Sequence, residues 1–214
     1  MLDITNFGLF ALSVFLLSVT PGPDMAYVIG QSVANGRRSG IISAAGVALG
    51  SCTHAVASAV GLTALITASP LMFTIIKYLG AAYLIYLGSK MVLGTFAKQT
   101  TNYSEAEPVK TKATLTNLLS KGFITTLTNP KVLLFFISFF PQFVSPGGEH
   151  HTASFLILGM TYALIAFLTD LTFAILAGSA AGAVSQNRGL QKMLDRIVGM
   201  AFIGLGLRLA LTRR

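Results

Sequence analysis

The sequence predicts an all-α polytopic membrane protein, with six transmembrane helices arranged as a 3+3 inverted repeat in which helices 1 and 4 are broken. Three observations predict it. Of the 214 residues, 53% are hydrophobic and 10% charged, whereas an average soluble domain carries about 25% charged residues, so there is too little polar surface to cover a water-soluble globule. The apolar residues gather in runs long enough to cross a bilayer, which takes roughly 20 residues. Proline-bearing breaks fall at the same place in the first run of each half. A single membrane domain over 1–214 accounts for the chain, with one repeat at about 1–97, a linker at about 98–114 and a second repeat at about 115–214.

The runs follow in order at about Phe7 to Gln31, Ile41 to Ile66, Leu71 to Leu93, Gly122 to Val144, Ala153 to Ala183 and Leu190 to Leu211. Between them lie the turn signals Asn35 to Gly40, Ala68-Ser69-Pro70, Ser145 to Gly148 and Ser185 to Gly189. The polar stretch from Lys98 to Thr116 reads as a solvated linker between two halves of three spans each. The N-terminus lacks the basic region of a secretory signal, so the first run is expected to stay in the mature protein. The single Cys52 lies in an apolar run and reads as a small core residue.

Basic loops are retained on the cytoplasmic side. Six alternating spans place Arg37, Arg38, Lys90, Lys98, Lys110, Lys112, Lys121, Arg188, Lys192 and Arg196 on one face, which is therefore expected to be cytoplasmic. Both termini are then external, with Arg208, Arg213 and Arg214 as the discordant residues. The pI of about 9.9 is explained by topology and anionic membrane lipid, and nucleic acid is not an expected partner.

The two halves echo each other weakly. Lys77-x-x-Gly80-x-x-Tyr83 in the third run matches Arg196-x-x-Gly199-x-x-Phe202 in the sixth, and Thr20-Pro21-Gly22-Pro23-Asp24 in the first matches Thr128-Asn129-Pro130-Lys131 in the fourth. Proline within a helix removes a hydrogen bond and costs ~3 kcal/mol. In lipid the freed carbonyls find no water, so unwound backbone is tolerated only against protein or an aqueous cavity. Matched breaks in opposed halves point to a solute site near the midplane. The helices starting after Pro23 and Pro130 aim their N-terminal N–H groups into it, which suits a carboxylate. Ordinary kinks are the structural alternative.

Charge within a span costs at least ~2.5–3.5 kcal/mol and usually faces a cavity or a partner. Asp24, Lys131 and Asp170 meet that description. Asp24 suits a helix N-terminus, Lys131 opposes the helix dipole, and Asp170 sits in the most apolar run of the chain. Asp24 and Lys131 are expected near one another across the cavity; whether they pair directly is left open by the sequence. Asp170 is a candidate for proton coupling or ammonium binding, with an interhelical contact as its alternative. His54 is a second proton-coupling candidate, balanced against a neutral interhelical hydrogen bond.

Gly46-x-x-x-Gly50 gives the second run a small-residue face that serves either the bundle core or a homodimer. Phe135, Phe136, Phe139, Phe140 and Phe143 read as a core or lipid-facing stripe. Glu149-His150-His151 reads as a polar external turn; no metal site and no cofactor are expected. Neither His-Glu-x-x-His, nor Gly-x-Ser-x-Gly, nor a paired acidic cluster occurs, so an enzyme is not expected.

Thr20-Pro21-Gly22-Pro23, Gly36-Arg37-Arg38-x-Gly40, Gly80-Ala81-Ala82-Tyr83-Leu84 with Gly88, and Asn129-Pro130-Lys131 leading to Phe135-Phe136 and Pro141-Gln142-Phe143 together resemble the LysE/RhtB amino-acid exporter superfamily, nearest its homoserine and threonine branch. The resemblance covers nearly the whole chain. It implies multi-pass residence in the bacterial inner membrane, and efflux of amino acids or their derivatives by proton antiport. It also implies that Pro21, Gly22, Pro23, Asp24, Asn129, Pro130 and Lys131 lie near the substrate path. A zwitterionic amino acid suits those residues, its carboxylate toward the helix N-termini and Lys131 and its ammonium toward Asp24 or Asp170. A channel or uniporter, or an exporter of basic amino acids, is the alternative.

Overall fold

A computed structural model describes residues 3–96, 114–145, 147–177 and 188–211; among these the fold is all helical. Eight α-helices succeed one another: α1 (Phe7–Val19), α2 (Pro23–Asn35), α3 (Arg37–Ala68), α4 (Pro70–Gly94), α5 (Leu115–Leu127), α6 (Pro130–Phe139), α7 (His151–Leu176) and α8 (Arg188–Leu211). A 3-10 turn at Phe140–Phe143 prolongs α6. α3 and α7 are each long and apolar enough to cross a membrane. α1 with α2, and α5 with α6 and its 3-10 turn, reach that standard as pairs, bent by 52° and 50° at their breaks. α4 and α8 have 25 and 24 residues, lengths of about 36 Å at 1.5 Å per residue.

The breaks are shorter than the sequence suggests. The expected turn from Asn35 to Gly40 shrinks to Gly36 alone, whose φ of +85° is open to glycine and strained for other residues. Arg37 to Gly40 already belong to α3. Ser69 alone separates α3 from α4, and the fourth run begins at Leu115 rather than Gly122, capped by the Thr114 side chain on Asn117 N. Polar residues at a helix end are read as loop by composition, yet a helix end held by packing keeps them. The linker at 98–113 and the residues 178–187 lie outside the described residues.

Contacts between helices fix their directions. Gly159 lies against Ala55 and Thr152 Oγ1 bonds Thr63 Oγ1 at 3.2 Å, so α3 and α7 are antiparallel. Gly46 meets Leu119 while Gly50 meets Phe123 and Thr126, so α3 and α5 are parallel. The glycine face of α3 is thus used inside the molecule. Gly88 meets Gly199, and Gly206 meets Ala81 and Ile85, making α4 and α8 antiparallel. α1 and α2 run alongside α7, from Asp3 N on Ser154 Oγ (3.0 Å) to Ser32 Oγ on Ala174 O (2.5 Å).

The core is aromatic. Phe135, Phe136, Phe139, Phe140 and Phe143 are all buried, with Phe10 and Tyr162 among them, which decides for core over lipid-facing stripe. Outside, Leu12, Phe15, Leu49, Val56, Val60, Leu164 and Leu168 are exposed, an apolar exterior suited to lipid rather than water. Cys52 is half-buried rather than a core residue. The polar turn at 145–150 is tied to the N-terminus. Ser145 N donates to Asp3 O at 2.9 Å, His150 N to Asp3 Oδ2 at 2.6 Å, and the His151 ring bonds Ser145 O at 2.9 Å.

Candidate functional site: a charged cavity at the two helix breaks

Each break orphans a carbonyl, and each orphan is met by a side chain from elsewhere. In a continuous helix Leu17 O would accept from residue 21 and Thr126 O from residue 130, but Pro21 and Pro130 have no N–H to give. Lys131 Nζ donates to Leu17 O at 2.8 Å and to Thr20 O at 2.9 Å. His54 Nε2 lies 3.2 Å from Thr126 O, an acceptor that requires this nitrogen to be the protonated one. Its ring also stacks on Phe136, centroids 5.6 Å apart. The shortened turns Thr20 N to Leu17 O and Asn129 N to Thr126 O complete the parallel.

The helices that restart after the breaks present matching ends. Pro23 and Pro130 are the first residues of α2 and α6, and Asp24 and Lys131 the second. Gly22 enters α2 extended and gives it no side-chain cap. Asn129 caps α6 by accepting from Lys131 N at 3.0 Å. Asp24 suits its position electrostatically. Lys131 does not suit its own helix, but its ammonium reaches the carbonyl end of α1, where the dipole favours a cation.

Asp24, Asn129, Lys131 and Asp170 line one cavity together with Thr20 and Gly22. His54 is not among its lining residues, and Pro21, Pro23 and Pro130 shape the breaks without facing it. The space is about 30 Å³, room for a water molecule or two and far below the ~300 Å³ at which small-molecule pockets begin. An organic solute enters only if the walls part. Asp24 and Lys131 face the same cavity without a direct ion pair. Lys131 is held by Leu17 O, whose helical donor Pro21 removes, and by Thr20 O, and Asp24 Oδ1 is buried without a hydrogen-bond partner. Thr126 Oγ1, in the adjoining helix end, is likewise buried and unpartnered.

Sequence reasoning passed over Tyr162, Ser18, Ser51 and the apolar wall of Met25, Val47, Val132 and Ala166, all of which line the cavity. Tyr162, Ala166 and Asp170 stand four residues apart on α7, the spacing of one helix face, so the signal was present once Asp170 was singled out. Tyr162 also joins the cavity to the aromatic core, its ring 4.7 Å from that of Phe136.

A polytopic bundle whose opposed helix breaks flank a charged cavity is the architecture of a membrane transporter. The LysE type translocator family model matches residues 15–213, and the chain belongs to that family. It is 32% identical over 209 residues to the leucine efflux protein of Enterobacter sp. (strain 638), covering 97% of this chain and 96% of that one. It is 37% identical over 210 residues to an uncharacterized membrane protein of Pseudomonas aeruginosa, covering 98% and 96%. The leucine efflux protein of Salmonella typhimurium is 31% identical over 208 residues, covering 97% and 95%. No solved structure matches the chain.

Proposed function

We propose that the protein is a secondary exporter of neutral amino acids or their derivatives, working by proton antiport in the cell inner membrane. One observation carries the reading: an ammonium and two carboxylates, Lys131, Asp24 and Asp170, line the same cavity at the paired breaks. A lysine has three N–H donors, and Lys131 uses two on carbonyls, leaving the third for a substrate carboxylate. Asp24 Oδ1, unpartnered, suits the substrate ammonium, and Asp170 is left to carry the proton. Among side chains, the wall of Met25, Val47, Val132 and Ala166 favours an aliphatic one, in keeping with relatives named leucine efflux protein. A homoserine- or threonine-like substrate is the second reading, favoured by the hydroxyls of Ser18, Thr20 and Ser51 in the same wall. Six spans, counting each bent pair as one, and a 3+3 inverted repeat accord with the opposed directions of α1–α2 and α5–α6.

The test is flux from proteoliposomes loaded separately with labelled leucine, threonine, homoserine and lysine, with and without an imposed pH gradient. Leucine efflux is expected to exceed lysine efflux about tenfold or more, the discrimination that ~1.4 kcal/mol provides. A protonophore is expected to remove the gradient-driven part. Equal flux of all four solutes, or flux indifferent to the gradient, sinks the proposal.

A further inference from the structure

The carbonyls of Leu17 and Thr20 converge on Lys131 Nζ at 2.8 and 2.9 Å, at the negative end of the α1 dipole. An unwound helix end whose carbonyls turn toward a carboxylate is the setting in which membrane transporters hold a small cation; here Leu17 O also accepts from Thr20 N at 3.2 Å. Here the place is filled by a side chain. Gly22 lies alongside, where a β-carbon would be in ordinary van der Waals contact with Nζ at 3.5 Å, and Asp24 and Asp170 line the same cavity. A mobile cation would be in equilibrium with solution; a tethered one is not. It satisfies carbonyls that lipid cannot, and it offsets one of two carboxylate charges throughout the cycle.

We propose that the Lys131 ammonium is a built-in counter-cation, seated in a carbonyl cradle that would otherwise take a free monovalent cation, so that the protein works without sodium. This deepens the transport reading by excluding one coupling ion, and its test needs no substrate. The cradle is specific for a small cation rather than for lysine as such. Removing the side chain therefore leaves a vacant monovalent-cation site. Among the described residues, Arg196, on α8, is engaged with Thr95 Oγ1 at 2.9 Å and with the Phe96 ring, and His54 is held on Thr126 O outside the cavity lining.

Purified Lys131→Ala protein in detergent is expected to melt lower than the parent by roughly 5 °C in choline chloride. Ammonium or sodium chloride at equal ionic strength should restore at least half of that loss, with choline too large to enter. The parent's Tm should be the same in all three salts. Lys131→Ala that responds identically to the three salts overturns the proposal, and so does a parent that is stabilised by sodium over choline. Should Lys131→Ala fail to fold, the parent comparison still decides, supplemented by Lys131→Met, which retains the stem and should show the same ammonium-over-choline preference. Because melting is read without amino acid, the cradle and the export reading fail separately: a null flux assay with a salt-selective Lys131→Ala melt removes the substrate and leaves the cation site.

Discussion

Asp170 is buried in α7 between Thr169 and Leu171 in an otherwise uncharged run, and it faces the cavity two turns from Tyr162. A carboxylate there is tolerated as the neutral acid or beside the Lys131 ammonium, and exchange between those states is what proton coupling requires. Asp170→Asn keeps the shape and removes the titration. Expected is a protein that inserts and melts normally but loses gradient-driven export at least tenfold, with residual flux flat in pH; export with an unaltered pH profile reduces Asp170 to a packing residue. Asp24, Lys131 and Asp170 were legible in the sequence because a charge in an apolar run has few innocent explanations. Tyr162 and Ser51 were not, since such residues are ordinary in any helix interior. Nor could the sequence say that Lys131 would be spent on carbonyls: that follows from how far a lysine stem reaches from α6 to the end of α1, a distance set by packing. His54 serves, in the structure, through its N–H on Thr126 O.

At the scale of elements the helices and their breaks were readable from run length and proline, while the pairing of helices was not, because small residues mark a close approach without naming the partner. Gly46 and Gly50 turn out to receive α5, and Gly88 receives Gly199 of α8. A β-carbon at Gly88 would come within 2.4 Å of Gly199 O and one at Gly199 within 2.7 Å of Gly88 O, both backbone atoms that cannot step aside singly. Gly88→Ala is therefore expected to cost ~1–3 kcal/mol, the usual penalty of overpacking, and to separate α4 from α8 first. Gly61 is the control, with nothing within 4 Å of its would-be β-carbon; Gly61→Ala should be neutral or gain up to about 1 kcal/mol from helix propensity. Thermal unfolding of the two variants in the same detergent gives the comparison, and a Gly88→Ala protein as stable as Gly61→Ala would mean that the α4–α8 approach is looser than drawn.

For the whole molecule the deciding quantity is which ends share a side. The start of α7 touches Asp3 through Ser154 and the end of α3 through Thr63. The end of α8 comes to the start of α4 because Gly206 sits at Ala81 and Gly88 at Gly199, and α4 starts one residue after α3 stops. The N-terminus, the α3–α4 and α6–α7 connections and the far end of α8 therefore gather at one end of the bundle. Gly36, the start of α5 with Leu118 O accepting from Tyr27 Oη of α2, the end of α7 near Ser32 and the Thr95–Arg196 contact lie at the other. This second end carries Arg37, Arg38, Lys121, Lys192 and Arg196, and basic ends stay in the cytoplasm. Both termini are accordingly expected outside, despite the arginines that close the chain. A reporter active only in the periplasm should work when fused after Leu211 and fail when inserted between α4 and α5, and one active only in the cytoplasm should do the reverse. Because the N-terminus and the far end of α8 share one end of the bundle, a cytoplasmic C-terminus would turn the whole molecule over and put its more basic end outside, against the retention of basic ends in the cytoplasm.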